Sequence, residues 1–164
     1  MEYKCVIADK NLITKKFDLE IKKHHNSKMW NEFKQIALDN LDTRIVYMGL
    51  LNDEIITEAT AIISDKDLNM QNKEDLISKN TAYLTAFRTN KKYEGKGYFS
   101  KLYKFLESDL KKIGFKYLTL GVEPNEIRNK QIYFHFGFTK YLKSSYETYP
   151  NGQKILVNYY KKEI

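Results

Sequence analysis

The stretch "KKYEGKGYFSKLYKFLE", residues 91–107, sets Gly95 and Gly97 around Lys96 and then runs straight into apolar residues at helical spacing. From Tyr98 to Ile113, the residues Phe99, Leu102, Leu106, Leu110 and Ile113 form one apolar stripe, while Lys101, Lys104, Asp109 and Lys111 point elsewhere. Gly114 predicts the end of that helix. A bare backbone directly before a helix suits an anion, because the first turn leaves N–H groups unpaired at the positive end of the helix dipole. An isolated Gly-x-Gly more often marks only a tight turn, so its surroundings decide between the two readings.

Those surroundings alternate strand and helix. "TAYLTAFRT", residues 81–89, predicts a strand ending just before the glycines; "KYLTLGV", 116–122, predicts another, and "EIRNKQIYFHF", 126–136, a short helix. "TKYLKSSYETYPNGQKILVNYYKK", 139–162, reads as a hairpin turning at Asn151 and Gly152. Upstream, "RIVYMGLL" and "IITEATAIIS" flank "NDE" as a hairpin with Asn52 and Asp53 at its turn. "SKMWNEFKQIALDNL", 27–41, carries Trp30, Phe33, Ile36, Ala37 and Leu41 on one side of a helix, with Ser27 as its expected N-cap. Cys5 is expected in an N-terminal strand. The order predicts an α/β (α+β) fold, a mixed sheet flanked by helices.

Two nucleotide-binding motifs fail at the glycines. A dinucleotide fingerprint needs a third glycine where Ser100 stands, and a phosphate loop of the Gly-Lys-Ser/Thr type is broken because Gly97 follows Lys96. With 164 residues, 42% hydrophobic, the chain has the length for one well-buried core, so a single domain over 1–164 is expected. No apolar run reaches the ~18 residues of a membrane span and the N-terminus lacks the order of a signal peptide, which predicts a soluble, cytoplasmic protein. Cys5 is the only cysteine, excluding an internal disulfide, and no Cys or His pair has metal-ligand spacing. His24 and His25, being adjacent, cannot share a face. The net charge of +7 invites nucleic acid, but the basic charge is nearly all lysine and the three arginines, Arg44, Arg88 and Arg128, are scattered.

The strand "AYLTAFRT", the loop "KKYEGKGYFSKLYKFLE", the strand "KYLTLGV" and the ending "IYFHFGF" together resemble the acyl-CoA-binding core of the GNAT superfamily of N-acetyltransferases, over about 81–140. The resemblance implies a mixed, mostly antiparallel twisted sheet with a splayed parallel strand pair at the cofactor cleft. It also implies acetyl-CoA as co-substrate, with no metal, and direct attack by the primary amine of an acceptor, small molecule or peptide. In the family, an Arg/Gln-x-x-Gly-x-Gly/Ala segment binds the pyrophosphate through backbone N–H groups, and a Tyr-x-x-x-Gly-Phe element lies beside the thioester. The second element is intact from Tyr133 to Phe138. In the first, Glu94 stands at the usual Arg/Gln position and Phe99 at the usual small one.

The implied cofactor contacts are Phe87, Arg88 and Thr89, whose backbone would pair with pantetheine, then Glu94, Gly95, Lys96, Gly97, Tyr98, Phe99 and Ser100 at the phosphates. Glu94 must turn its side chain to solvent or a lysine, Lys96 is free to add charge, and Phe99 fits if its ring joins Leu102 and Leu106. Asn129, four residues before Tyr133, shares its helix face and completes the set. Tyr133 is the expected general acid. Glu123, closing "YLTLGV", is the expected base, a solvated strand-end carboxylate being the alternative. His135 falls about 200° around the helix from Tyr133 and reads as a surface or packing histidine. Tyr146, Tyr149, Tyr159 and Tyr160 either line an acceptor pocket or are half-buried sheet residues. A non-catalytic CoA-binding module and a basic nucleic-acid binder are the rival functions; the sequence leaves monomer and homodimer open.

Overall fold

The computed structural model describes residues 2–149 and 151–164. Strand β1 (Tyr3–Ile7) leads into helices α1 (Lys10–Lys23) and α2 (Ser27–Asp39), then the hairpin β2 (Arg44–Leu51) and β3 (Glu54–Ile62). Strand β4 (Thr81–Thr89), helix α3 (Tyr98–Lys112), strand β5 (Tyr117–Val122) and helix α4 (Ile127–His135) come next, and β6 (Lys140–Thr148) and β7 (Lys154–Glu163) close the chain. Among the described residues the strands form one seven-stranded sheet in the order β1-β2-β3-β4-β5-β7-β6, antiparallel except for β4 and β5. Among the described residues no helix is long and apolar enough to cross a membrane.

The hairpins form because of their turn residues. Asn52 and Asp53 both adopt positive φ, 48° and 66°, which is the geometry a two-residue turn needs to match strand twist. Helix α3 is stopped by glycine: Gly114 takes φ 110°, its N–H donates to Lys111 and that of Phe115 to Leu110, the paired bonds of a Schellman cap. Leu102, Leu106 and Leu110 of α3 are fully buried against Tyr47, Ala59, Leu84 and Leu118 on one face of the sheet. Each such leucine contributes about 1.5–3 kcal/mol by leaving water. On α1 and α2, Ile13, Phe17 and Ala37 cover Met48 on the other face.

Three local expectations are corrected. Ser27 is the first helical residue of α2, and the cap is Asn26, whose side-chain oxygen accepts from the Met29 N–H. Ile113 leaves the α3 stripe for solvent, while Tyr103 is buried in the same core. Phe33 and Leu41 are exposed, leaving Ala37 as the buried residue of α2. The sequence reading also passed over α1, whose cap is Asp9 and whose buried face pairs Ile13 and Phe17 with a carboxylate, Glu20.

The behaviour of β4 positions the site. It pairs with β5 only from Thr81–Tyr117 to Leu84–Leu120. Against β3 its register jumps, so that Ala59 faces both Ala86 and Phe87, and Ala86 takes φ 57°. This is a β-bulge, which bends a strand and re-aims the residues beyond it. The last five residues of β4 therefore run on beside β3 without a β5 partner.

Candidate functional site

Two cavities meet where β4 and β5 part. The larger, about 460 Å3, lies between the end of β4, the glycine loop with the start of α3, and α4. Its wall includes Phe87, Arg88 and Thr89 from β4, and Glu94, Gly95, Gly97, Tyr98, Phe99 and Ser100 from the loop and helix start. Asn129 and Tyr133 complete it from α4, so these expected residues converge. Lys96 does not: it is exposed, its Nζ 5.8 Å from the centre of the Tyr93 ring. Arg128, Tyr93 and Ile132 also line the cleft and were missed by the sequence reading.

The glycine loop is built for backbone donors. Gly95 and Gly97 take φ 73° and 81°, and nothing lies within 4 Å of where a Cβ would sit on either, so the demand for glycine is conformational. Asp9 and Asn26 cap α1 and α2 with their side chains, whereas α3 starts at Gly97 with no side-chain cap. Its first-turn N–H groups are thus left without a side-chain partner in a helix whose opening residues line the cleft. The Tyr98 carbonyl accepts a 2.9 Å hydrogen bond from Tyr3 Oη, which also meets Thr57 Oγ1 at 2.8 Å, tying the helix start to β1 and β3.

Phe99 is accommodated by aromatic packing. Its ring lies 5.2 Å from Phe87 and 6.1 Å from Phe136, against the core that holds Leu102 and Leu106. Glu94 turns to Arg128, not to a lysine, at 3.8 Å. On β4, the Asn90 N–H donates to Ile56 of β3. Because backbone groups of an antiparallel ladder alternate sides, Thr89 and Phe87 direct theirs away from β3 into the cleft. The Arg88 side chain points elsewhere, to the buried Glu20 at 2.5 Å.

The second cavity, about 310 Å3, shares Phe87, Asn129 and Tyr133 with the first. Glu123, Glu126 and Glu147 line it together with Tyr83 and Tyr149. Asn129 Nδ2 donates to Glu126 Oε1 at 3.4 Å and the Glu123 N–H to Glu126 Oε2 at 3.2 Å. Glu126, Glu147 and Tyr83 carried no signal in the sequence, since β6, β4 and α4 bring them together only through the sheet order. Of the four C-terminal tyrosines only Tyr149 lines this cavity: Tyr146 is exposed, while Tyr159, which donates to Glu147, and Tyr160 are buried.

Tyr133 is held by its own motif. Gly137 closes α4 at φ 101°, its N–H donating to Phe134 and that of Phe138 to the Tyr133 carbonyl, with the Phe138 ring fully buried. The Gly-Phe pair is therefore a Schellman cap anchored in the core, and it sets the direction of the last turn, where Tyr133 stands. The Tyr133 ring packs on Phe87 at 5.4 Å. Burial, then the charge of Glu126, pushes its phenol up to about 12, so it stays protonated at neutral pH. His135 is exposed on the far side. Among the described residues no group of three or more His, Cys, Asp or Glu side chains is placed to hold a metal ion.

A seven-stranded, mostly antiparallel sheet with one parallel pair, flanked by four helices, is the architecture of the GNAT fold. The profile of the acetyltransferase (GNAT) family matches residues 11–138, and the chain belongs to that family. Among solved structures, the chain is similar to the GNAT-family acetyltransferase of Streptococcus pneumoniae at 15% identity, covering 99% of this chain and 100% of that one, with a TM-score of 0.69. The ribosomal-protein-S18-alanine N-acetyltransferase of Escherichia coli gives 15% identity, 99% and 94% coverage and a TM-score of 0.69. The yncA protein of Salmonella typhimurium, solved with its cofactor acetyl-CoA, gives 12%, 99% and 94%, and 0.69. At such identities the likeness is one of fold. No curated protein matches the chain by sequence.

Proposed function

We propose that the protein transfers an acetyl group from acetyl-CoA to a primary amine by direct attack. The observation that carries this reading is the junction of the two cavities at Tyr133 and Asn129: one cavity has a cradle for phosphate, the other is lined with carboxylates, and Tyr133 borders both. The uncapped start of α3 and the left-handed Gly95 and Gly97 fit a pyrophosphate, and the free edge of β4 at Phe87 and Thr89 fits the amides of pantetheine. Acetyl-CoA, when bound, supplies an acetyl group activated as a thioester.

The chain's own residues move the protons. An alkylamine with pKa near 10.4 is only about 0.04% neutral at pH 7, so it must lose a proton before it attacks. Glu123, on the acceptor side, is the base, directly or through a water. The phenol of Tyr133, kept protonated by burial, is the acid for the departing sulfur. Release of free thiol from acetyl-CoA in the presence of amines, with the acetylated product weighed by mass spectrometry, tests the reading. Thiol release by hydrolysis alone, with no amine consumed, would overturn it.

A further inference from the structure

We infer that the acceptor is a small dication, a linear diamine or polyamine, seated in the cavity that Glu123, Glu126 and Glu147 form with Tyr83 and Tyr149. The inference rests on the proposed acetyl transfer for the reaction, though not for the binding.

The first observation is one of sign. The chain carries a net +7, yet three carboxylates and no lysine, arginine or histidine line this cavity among the described residues. Lys73 offsets Glu147 at 3.1 Å from outside the wall. Glu126 receives only neutral donors, Asn129 and the Glu123 N–H, and neither Glu123 nor Glu126 has an ion-pair partner in the cavity wall. Two carboxylates are left uncompensated in a confined space beside the cofactor cleft. Burial first, then the charges of Glu123, Glu147 and Glu126, push the Tyr149 phenol up, so all three carboxylates act on one side chain of the wall they share.

The second observation is independent of charge. Tyr83 is only 6% exposed and its ring lines the cavity, yet its hydroxyl makes no hydrogen bond among the described residues. A phenol left without a protein partner in a cavity wall can accept a hydrogen bond from a ligand seated there. An ammonium is such a donor. Tyr149 and the side chain of Val157 in the same wall suit an alkyl spacer, and aromatic rings attract cations.

One ammonium is not enough. The reacting nitrogen gives up one proton to Glu123 and attacks the acetyl carbon; as the carbon–sulfur bond breaks, Tyr133 supplies the proton that the sulfur takes up and is restored by the second proton that the new amide nitrogen sheds. That nitrogen is neutral when it attacks, so the charge that holds the acceptor against the carboxylates must come from a second ammonium, which keeps its proton. Amines bearing a carboxylate or phosphate meet no cation here and are repelled.

Calorimetric titration of the full chain with 1,4-diaminobutane, spermidine, butylamine and glutamate tests the cavity, and thiol release with the same amines tests the transfer. The diamine and spermidine are expected to bind at least about tenfold more tightly than butylamine, less so at high salt, with glutamate silent. Glu147→Gln and Tyr83→Phe are each expected to raise the diamine Kd about three- to tenfold while leaving the thermal shift given by acetyl-CoA in place, which reports a folded chain. If Glu147→Gln does not fold, Tyr83→Phe carries the test. Butylamine or glutamate matching the diamine, no diamine binding, or unchanged affinity in the folded variants overturns the inference. Transfer to a peptide amine without diamine binding overturns it too and leaves the acetyltransferase standing. Diamine binding without transfer does the reverse.

Discussion

Glu94 and Arg128 face each other across the mouth of the cofactor cleft, Oε2 to Nη1 at 3.8 Å, the one on the glycine loop and the other on α4. Glu94 stands where the family's motif has Arg or Gln, so the loop lacks that donor and α4 brings a guanidinium to the same cleft. Both side chains are well exposed, and the pair itself adds little to stability. Glu94→Gln removes the carboxylate and releases Arg128 to a phosphate. Acetyl-CoA affinity is then expected to rise about threefold at low salt and less at high salt, and Arg128→Ala to lower it by a similar factor. Titration calorimetry at two salt concentrations checks both, and a looser Glu94→Gln complex would contradict the arrangement.

Thr89 directs its N–H into the cleft while Asn90 bonds β3, so Thr89→Pro removes a donor without breaking the ladder. Acetyl-CoA is expected to bind roughly tenfold more weakly to this variant. Arg88→Ala leaves the backbone donor intact, so affinity should hold. Its cost falls on stability instead, because Glu20 is buried against Arg88. Should Arg88→Ala abolish binding in a folded chain while Thr89→Pro spares it, strand pairing with pantetheine is wrong.

Two buried carboxylates set the acid limit of the fold. Burial pushes Asp67 up, but the paired bonds from Arg44, with Thr43 and the Asn69 N–H, outweigh it and hold the carboxyl below its usual range. Burial likewise pushes Glu20 up, and Arg88, with His24 and Lys16, more than reverses it. Since both folded-state values are depressed, the stability they contribute is complete above the ordinary carboxylate range and is lost as pH falls through and below roughly 4. Asp67→Ala strands the Arg44 guanidinium and is expected to cost about 3–5 kcal/mol at neutral pH and to flatten the acid limb of the denaturation profile. A neutral-pH loss below ~1 kcal/mol in urea unfolding would place Arg44 in water.

The glycine loop, the α3 stripe and the Tyr-x-x-x-Gly-Phe element were legible because each is a local pattern with a local cause: left-handed glycines, 3.6-residue periodicity and a Schellman cap. Long-range choices were not. Arg128 pairs with Glu94 across 34 positions, and Glu147 reaches Tyr83 through the sheet order β4-β5-β7-β6. Nor does local spacing show that Tyr3 would hold the first turn of α3 from 95 residues away. Helix α1 was hidden for another reason: its buried face includes Glu20, a charge that periodicity counts as surface until Arg88 is placed beside it.

Gly137 tests whether the cap of α4 aims Tyr133. Its φ of 101° is unfavourable to any other residue, and a Cβ there would come within 3.2 Å of Lys162 Cε. Gly137→Ala is expected to destabilise the fold by about 1–2 kcal/mol and to lower turnover beyond what the lost stability explains, because the last turn of α4 would shift. Tyr133→Phe separates aim from acidity. The ring still packs on Phe87 and the cleft keeps its shape, so acetyl-CoA affinity should be unchanged, while turnover falls on the order of a hundredfold where chemistry limits the rate. With the phenol raised to about 12, the wild-type rate should show no alkaline limb from Tyr133 below roughly pH 11. A phenylalanine variant with full turnover, or a wild-type limb near pH 10 that the variant lacks, would leave Tyr133 as a packing residue or as an unburied phenol.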